Sequence, residues 1–508
     1  MILQQRPSAS VGIKPACGSP SACSPSAVLS RRRFMAASGS AALLSACGGD
    51  SGSPPAATQP PIAAETPKPA VVQTQFTGLA VSQFYDPLDG GNLQPAFQKA
   101  IDYAQEQSLP LVVNDWQTDP GRSRAEMWCP PRTSSYGLQS DGIPLVIRAP
   151  VEVDFGGLNI KLKGLGGSDR MQGQYVHGFA QPWLGGWMYV IGNPAFGRVA
   201  IKNVTVDGGY AGDVVSNTPA NVSDKGFRVQ DTVLGECVLE NVELCNFAGE
   251  IYYIGGLGPD RQVIRNCHFH GSPQSAWNPG GVGTVHAENL KAGRAYQITE
   301  VLGGRGHTYV ESYFYESGYG GTGFGGGPSP RILAGYPYWY AYWDGDGDPP
   351  WISFEGCVFE DIRFINVGAW IKGRIKTIDS PVWTNPLVGH LRAINLQIDA
   401  VCDSRRGSEA LGIHGIEPGL NQVPQAPEGI YYQLPSNLEF AVRCSQTEEA
   451  KRQGVQFQSA ARFYGTLIDI ETTSISVSGN ALSPVEAPSQ PRAGFQMPII
   501  DTSGFYGR

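Results

Sequence analysis

The chain has 508 residues, 41% hydrophobic and 16% charged, enough for a large buried core and without a run that resembles a membrane-spanning helix. Its 65 glycines and 39 prolines predict many turns and few long helices. The formal net charge of −8 becomes −13 without residues 1–46, which hold five basic and no acidic residues, so we expect no nucleic-acid partner.

Residues 1–46 have the pattern of an export signal. Arg31–Arg33 precede a modest apolar run and resemble a twin-arginine signal, which implies the twin-arginine export machinery as a partner. Leu44–Cys47 resembles a bacterial lipobox, which would make Cys47 the lipidated first residue of a mature envelope protein. Gly48 after it implies passage to the outer membrane or the periplasmic face, with the lipid as the membrane contact. The alternatives are an ordinary cleaved signal or a cytosolic basic tail.

Residues 47–78 are rich in Ser, Pro and Ala and are predicted to be a flexible linker. Seven of the ten cysteines remain after Cys47, an odd number without paired close spacing, which argues against a disulfide framework. We expect buried apolar thiols instead. Apolar residues at helical spacing from Leu93 to Ala104 then predict a short amphipathic helix, and Leu109–Val113 predicts a strand.

One short phrase recurs at a nearly constant interval in the middle of the chain. Gly255–Gly258 returns as Gly280–Gly283 and Gly303–Gly306, and more weakly as Gly326–Gly327, at intervals of 25, 23 and 23 residues. A second phrase, which begins at Asn241, Asn266, Asn289 and Ser312, keeps the same period. This period is too short for a pair of helices and suits one turn of a β-solenoid, with glycine at a tight corner.

The alternation within each repeat predicts which side chains point into the solenoid. Strands stacked about 4.8 Å apart place alternate residues inward. The predicted inward pairs are Val204 and Val206, Val242 and Leu244, Cys267 and Phe269, Leu290 and Ala292, and Cys357 and Phe359.

The turn Asp86–Gly91, the helix containing Phe97–Asp102, and the runs Val151–Gly157 and Val204–Gly209 resemble the pectate-lyase-like right-handed parallel β-helix superfamily. The resemblance implies an all-β, single-stranded right-handed parallel β-helix (a solenoid) with a short N-terminal capping helix. It also implies carbohydrate activity, since the superfamily includes polysaccharide lyases, hydrolases, epimerases and esterases. The predicted divisions are the β-helix at 79–400, with an aromatic and Gly-rich insertion at 318–350, and the final coils and C-terminal cap at 401–508. The sequence lacks the polygalacturonase motifs and a recognisable pectate-lyase calcium pattern.

The glycine repeat aligns Tyr252, Trp277 and Glu300 in one column. On the surface, the two aromatics would form a sugar-binding platform beside a carboxylate, whereas the alternative is that the column points inward. Glu250 lies two coils from Glu300, so the two carboxylates could serve as the acid and base of an inverting glycosidase or be ordinary solvated glutamates. Arg305 could bind a uronate and His307 could take part in catalysis, or both could be solvent groups.

The asparagine repeat aligns Glu243, His268 and Lys291 in an outward column, with His270 and Glu316 beside it. Lys291 flanked by His268 could take the C5 proton of a uronate, as a polysaccharide lyase requires. A charged ladder that links neighbouring coils is the alternative.

The insertion carries the remaining candidates. Trp339, Tyr342 and Trp343 could bind substrate, and Asp344, Asp346 and Asp348 alternate with glycines as calcium ligands do. Pro349 stands where an EF-hand loop needs glycine, so Ca²⁺ is a candidate cofactor on a partial match only. A catalytic carboxylate cluster and an exposed turn are the alternatives.

These features predict an extracytoplasmic enzyme whose partner is an extended polysaccharide along the solenoid flank. The leading hypothesis is a glycoside hydrolase that uses Glu250 and Glu300. The alternatives are a uronate lyase and a non-catalytic glycan-binding or surface-structural lipoprotein.

Overall fold

The computed structural model describes most of the chain beyond residue 77, and all described residues belong to one unit, residues 73–508. Described are residues 78–115, 125–129, 143–163, 186–191, 196–214, 225–230, 234–255, 258–281, 283–300, 305–324, 351–367, 370–384, 393–404, 407–413, 438–464, 473–489 and 497–506. Neither helix in this part of the chain is long and apolar enough to cross a membrane.

The two described α-helices are α1 (Gln94–Glu106) and α2 (Glu448–Gln453), and short 3-10 turns span Val81–Phe84 and Pro87–Asp89. The strands are β1 (Leu79–Ala80), β2 (Leu111–Val113), β3 (Ala125–Trp128), β4 (Leu145–Ile147), β5 (Val151–Lys163), β6 (Gly186–Val190), β7 (Phe196–Asp207), β8 (Lys225–Gln230), β9 (Leu234–Cys245), β10 (Tyr252–Gly255), β11 (Pro259–Arg265), β12 (His268–Pro279), β13 (Thr284–Glu288), β14 (Lys291–Glu300), β15 (Gly306–Val310), β16 (Tyr313–Phe324), β17 (Ile352–Glu360), β18 (Ile365–Val367), β19 (Trp370–Ile378), β20 (Val382–Thr384), β21 (Ala393–Cys402), β22 (Glu409–Ile413), β23 (Leu438–Gln446), β24 (Ser459–Phe463), β25 (Thr473–Gly479), β26 (Ser483–Glu486) and β27 (Ile500–Phe505).

The strands wind as a parallel solenoid. Through most of the chain each strand pairs in parallel with the strand two further along, as in the series β10, β12, β14, β16 and β18. A chain that returns in parallel beside itself after every second strand advances by one coil per turn. The predicted all-β class is confirmed and the pairing is that of a parallel β-helix, while its right-handed sense stays a prediction.

The predicted inward pairs form the core. All ten side chains are at most 2% exposed, from Val204 and Val206 in β7 to Cys357 and Phe359 in β17. Strand alternation places these residues on one side, and parallel stacking brings like positions of successive coils into contact. All seven cysteines in the described part of the chain are buried and lie outside any disulfide, as the sequence predicts.

Helix α1 covers the first coil, in agreement with the predicted capping helix. Its buried face carries Phe97 and Ile101, and the Phe97 ring stacks on Phe155 of β5 with centroids 4.8 Å apart. Gln98 donates from Nε2 to the Val146 carbonyl oxygen at 3.0 Å and accepts from the Val146 N–H at 2.8 Å. The helix therefore supplies both apolar cover and hydrogen bonds at the start of the solenoid.

The second repeated phrase marks a corner of the solenoid. Asn203, Asn241, Asn266 and Asn289 all have positive φ, between 51° and 55°, a region that asparagine tolerates better than most residues. Each of the last three donates from Nδ2 to Oδ1 of the asparagine one coil earlier, at 2.9, 3.2 and 2.9 Å. Asparagine recurs because this corner needs a residue that adopts positive φ and a side chain that hydrogen-bonds to the same corner of the neighbouring coil.

The asparagine ladder makes a testable contribution to stability. We expect Asn266→Ala to lower the free energy of unfolding by about 1–3 kcal/mol, because alanine is strained at positive φ and both ladder bonds are lost. Asn266→Gly loses the same bonds without the strain and should cost less. Urea denaturation of both variants measures this, and an alanine variant as stable as the glycine variant would contradict the strain argument.

Candidate functional site

The column of Tyr252 and Trp277 points into the core. The two residues are register partners, as the glycine repeat predicts, but both are fully buried, with ring centroids 4.4 Å apart. The Trp277 Nε1–H donates to the Tyr309 hydroxyl at 3.1 Å, so even its polar edge is satisfied inside. The predicted surface platform for sugar at Tyr252 and Trp277 is therefore wrong, and the inward alternative holds.

The described residues do not place Glu250 and Glu300 together as the acid and base of a glycosidase. Glu250 makes an ion pair with Lys225, whose side chain is only 3% exposed. The register shifts between Ser272 and Ser275, so Thr299 and not Glu300 stands beside Trp277, while Glu300 pairs with Gly323. The Glu300 side chain lies outside the described part of the structure, and its catalytic role stays a prediction.

His307 is 2% exposed, and its Nδ1 lies 3.5 Å from the hydroxyl of the buried Tyr309. A catalytic group must reach substrate, so this burial contradicts the predicted role of His307 at the surface. Arg305 is exposed and stays a candidate for binding a uronate. The other candidates lie outside the described residues and stay predictions: Cys47, Trp339, Tyr342, Trp343, Asp344, Asp346 and Asp348.

The asparagine repeat does identify an outward polar surface. Glu243 of β9, His268 of β12, Lys291 of β14 and Tyr313 of β16 are successive register partners. Two residues further along each strand, the next outward positions carry Cys245, His270, Gly293 and Tyr315. We call these eight residues the polar face, and they bring together more titratable groups than the predicted trio.

Glu243 is held by two imidazoles. Its Oε1 lies 3.0 Å from His270 Nε2 and 3.6 Å from His268 Nδ1, and the two imidazole rings stack with centroids 4.1 Å apart. Hydrogen bonds to His268 and then to His270 are the largest causes that hold the pKa of Glu243 well below its usual 4.5. The carboxylate therefore stays ionised beside both histidines.

Tyr315 reaches back across one whole coil to His268. Its hydroxyl lies 2.7 Å from His268 Nε2, although the two residues are 47 positions apart in the chain. Gly293 occupies the intervening coil, and a Cβ there would lie 2.5 Å from Tyr315 Cδ1. The missing side chain thus provides the space in which the phenol ring lies.

Tyr315 was not among the sequence candidates. Its hydrogen bond to His268 skips a coil, so a comparison of adjacent repeats does not reveal it. The one sequence signal is Gly293, which stands on the intervening coil between the outward His270 and Tyr315. Burial, followed by the charge of Glu316, raises the pKa of Tyr315 to about 12, so the hydroxyl keeps its proton near neutral pH.

Glu243, Cys245 and His270 could hold a metal, since their ligand atoms all lie within 4.8 Å of one another. Carboxylate, thiolate and imidazole are zinc ligands. However, burial, then Asp207 and Glu243, raises the pKa of Cys245 to about 12, and Glu243 is already engaged by both imidazoles. The cluster as it stands is hydrogen-bonded and keeps its thiol protonated.

No known family model matches the chain, and no curated protein matches it in sequence. Similar solved structures include the A-module of the Azotobacter vinelandii mannuronan C-5 epimerase AlgE4, at 11% identity and a TM-score of 0.38, covering 85% of this chain and 100% of that one. The tailspike protein of E. coli bacteriophage HK620, in complex with a pentasaccharide, has 10% identity and a TM-score of 0.41, covering 85% and 67%. PfbA, a surface adhesin of Streptococcus pneumoniae, has 11% identity and a TM-score of 0.34, covering 85% and 93%. With similarities this weak, the chemistry of the site has to come from the chain's own residues.

The burial of Trp277 predicts a structural role in place of sugar binding. We expect Trp277→Ala to lower the free energy of unfolding by about 3–5 kcal/mol, because it leaves a cavity and removes the hydrogen bond to the buried Tyr309 hydroxyl. Urea denaturation measures this loss. A variant of wild-type stability would contradict the core placement.

The low pKa of Glu243 predicts a pH-dependent contribution to stability. Its folded pKa lies below 4.5, so the contribution is fully present above that pH and is lost as pH falls through the folded value. We expect Glu243→Gln to destabilise at pH 6 by about 1 kcal/mol or less, because the side chain is 39% exposed. Thermal melts should show this difference closing below about pH 4, and a difference that widens in acid would contradict the argument.

Proposed function

We propose that the chain is a polysaccharide lyase that removes the C5 proton of a uronate in an extended polymer and cleaves the chain by β-elimination. One observation carries the proposal: carboxylate, imidazole and phenol follow one another as Glu243, His268 and Tyr315. This is the order of an acid, a base and an activated hydroxyl in a catalytic triad.

One tautomer of His268 gives the triad its direction of proton flow. With Nδ1–H of His268 directed towards Glu243, Nε2 is left as the acceptor of the Tyr315 O–H. A phenol with a pKa of about 12 is a poor base by itself. His268 can take its proton as the phenolate oxygen takes the C5 proton, and Glu243 stabilises the imidazolium that forms.

The elimination balances within this site. The C5–H bond breaks to Tyr315, its electron pair forms the C4–C5 double bond, and the C4–O bond to the leaving sugar breaks. The leaving oxygen takes the proton that Tyr315 gave to His268, directly or relayed through a water molecule. The C5 proton stays on Tyr315, which restores the phenol, and the products are an unsaturated uronate and a new chain end.

Lys291 supplies the positive charge that this chemistry needs. It is exposed on the coil between His268 and Tyr313, its two register partners. An ammonium group beside the substrate carboxylate stabilises the enolate that develops when C5 loses its proton. The sequence proposed Lys291 as the base itself, whereas its exposure and position suit charge neutralisation better.

Hydrolysis, the leading hypothesis from the sequence, has less support. Glu250 is held by Lys225, and a carboxylate in an ion pair is a weak proton donor. The polar face offers Glu243 as one ionised carboxylate but joins it to imidazoles and not to a second acid. The non-catalytic alternative remains an outcome of the assay below.

We keep the envelope location and a lipid on Cys47 as proposals, supported by the order and spacing of the two signal motifs. An exported enzyme would meet polysaccharide outside the cytoplasm. Successive coils about 4.8 Å apart give the polymer a regular flank along which to lie.

The proposal is tested by Tyr315→Phe with Tyr313→Phe as its matched control. Both changes remove one hydroxyl from stacked rings whose centroids are 5.1 Å apart, but the Tyr313 hydroxyl donates to Glu360 and not to a histidine. We expect Tyr315→Phe to lower kcat by about 100-fold or more and Tyr313→Phe by less than threefold. The assay follows ultraviolet absorbance of unsaturated products and new reducing ends on polygalacturonate and polymannuronate.

Each outcome of this assay is decisive. Both signals rising together, and both lost in Tyr315→Phe, support the lyase. Reducing ends without absorbance indicate a hydrolase and return attention to Glu250 and Glu300. No product on either polymer, with binding retained, supports the non-catalytic alternative and overturns the proposal.

A further inference from the structure

A second surface, on the later strands β20, β22 and β24, carries a row of aromatic rings. Trp383 of β20, Gly412 of β22 and Arg462 of β24 are successive register partners. Their strand neighbours, among them Val382, Leu411 and Ala461, are fully buried, so the row lies on the outward side. We call Phe364, Trp383 and Tyr464 the aromatic row.

Glycines leave the space that these rings occupy. A Cβ on Gly412 would lie 2.6 Å from Trp383 Cδ1 and 3.2 Å from Tyr464 Cε2, and one on Gly321 would lie 2.6 Å from Phe364 Cε2. Phe364 and Trp383 stack with centroids 5.0 Å apart and planes 6° from parallel, and Trp383 and Tyr464 are 6.5 Å apart. The rings thus extend along the coils, with Gly412 on the coil between Trp383 and Tyr464.

A buried carboxylate fixes the polar edge of one of these rings. Glu409 is 0% exposed, and its Oε1 accepts from Trp383 Nε1–H at 2.8 Å, while Oε2 has no hydrogen-bond partner among the described residues. Burial and then Glu409 raise the pKa of Tyr464 to about 12, so this carboxylate also lies close to the phenol. Burying a carboxylate costs free energy unless donors satisfy it, so the bond from Trp383 holds both groups in place.

The row is partly exposed, and an arginine lies near each end in sequence or space. Tyr464 is 38% exposed and Phe364 and Trp383 are half-buried. The guanidinium of Arg462 lies 5.0 Å from the Tyr464 ring centroid and pairs with Glu486 at 3.1 Å, and the exposed Arg363 precedes Phe364. Sugar rings stack their C–H faces on flat aromatics, and guanidinium groups bind carboxylates.

We infer that the aromatic row is a second polymer-binding site that holds uronic-acid polysaccharide away from the polar face. The inference rests on the proposed function for its choice of polymer. The ring centroids are 5.0 and 6.5 Å apart, distances comparable to the length of one sugar unit, so neighbouring units of an extended chain can meet neighbouring rings. Such a site raises the affinity for long chains and leaves the bond-breaking step unchanged.

The experiment measures binding separately from cleavage. The full chain carrying Tyr315→Phe, which leaves the polymer intact, is run by affinity electrophoresis in gels with polygalacturonate, polymannuronate or neutral dextran. We expect Tyr464→Ala and Trp383→Ala in this background to weaken binding to the uronate polymers about tenfold each. Trp128→Ala removes an isolated tryptophan that is 47% exposed on β3, and it should change nothing.

Further variants keep the inference falsifiable. Tyr464 is partly exposed, so its removal carries little risk to folding, and circular dichroism checks each variant. Arg462→Gln should weaken binding to the uronate polymers but not to dextran. Unchanged binding in folded Tyr464→Ala, or equal binding to dextran and uronate polymers, would overturn the inference.

The two proposals can fail separately. A parent chain that binds no uronate polymer in the gel overturns the aromatic row as a binding site even if the unmodified enzyme cleaves the polymer. Binding that depends on Tyr464, without cleavage by the unmodified chain, overturns the lyase and leaves the binding site standing.

Discussion

Parallel stacking of successive coils is the constraint on which the rest of this structure depends. Each coil must return in register to the one before it, and the asparagine corner makes that return possible by combining positive φ with a side-chain ladder. Once the register is set, every outward residue has fixed neighbours one coil away on each side. The stacks of inward side chains and the outward polar and aromatic surfaces both follow from this register.

Glycine creates the two surfaces that bear on function. Outward glycines within strands weaken a sheet unless something fills the space they leave. Gly293 leaves space for the phenol of Tyr315 to reach His268, and Gly412 leaves space for Trp383 and Tyr464. The solenoid thus gains contacts between side chains that simple coil-to-coil pairing does not bring together.

What each buried or half-buried glutamate can do depends on the side chains that contact it. Glu243 is held by imidazoles, Glu250 by a buried lysine, and Glu409 by the indole N–H of Trp383. The first environment suits proton transfer, the second an ion pair, and the third the positioning of rings. An acidic residue on the flank of a β-helix is therefore weak evidence for hydrolysis until its neighbours are known.

The sequence alone determined the period, the inward pairs, helix α1 and the outward column of Glu243, His268 and Lys291, because these depend on local alternation and spacing. Only the tertiary structure decided that Tyr252 and Trp277 face inward. Alternation shows which residues of a strand share a side, but it does not show which side faces the core once the chain has turned a corner. The shift after Ser272 likewise moved Glu300 out of that column. Two further contacts depend on how the coils stack. His268 bonds to Tyr315, 47 residues away, and the buried Glu409 bonds to Trp383, 26 residues away, so neither contact can be read from local sequence.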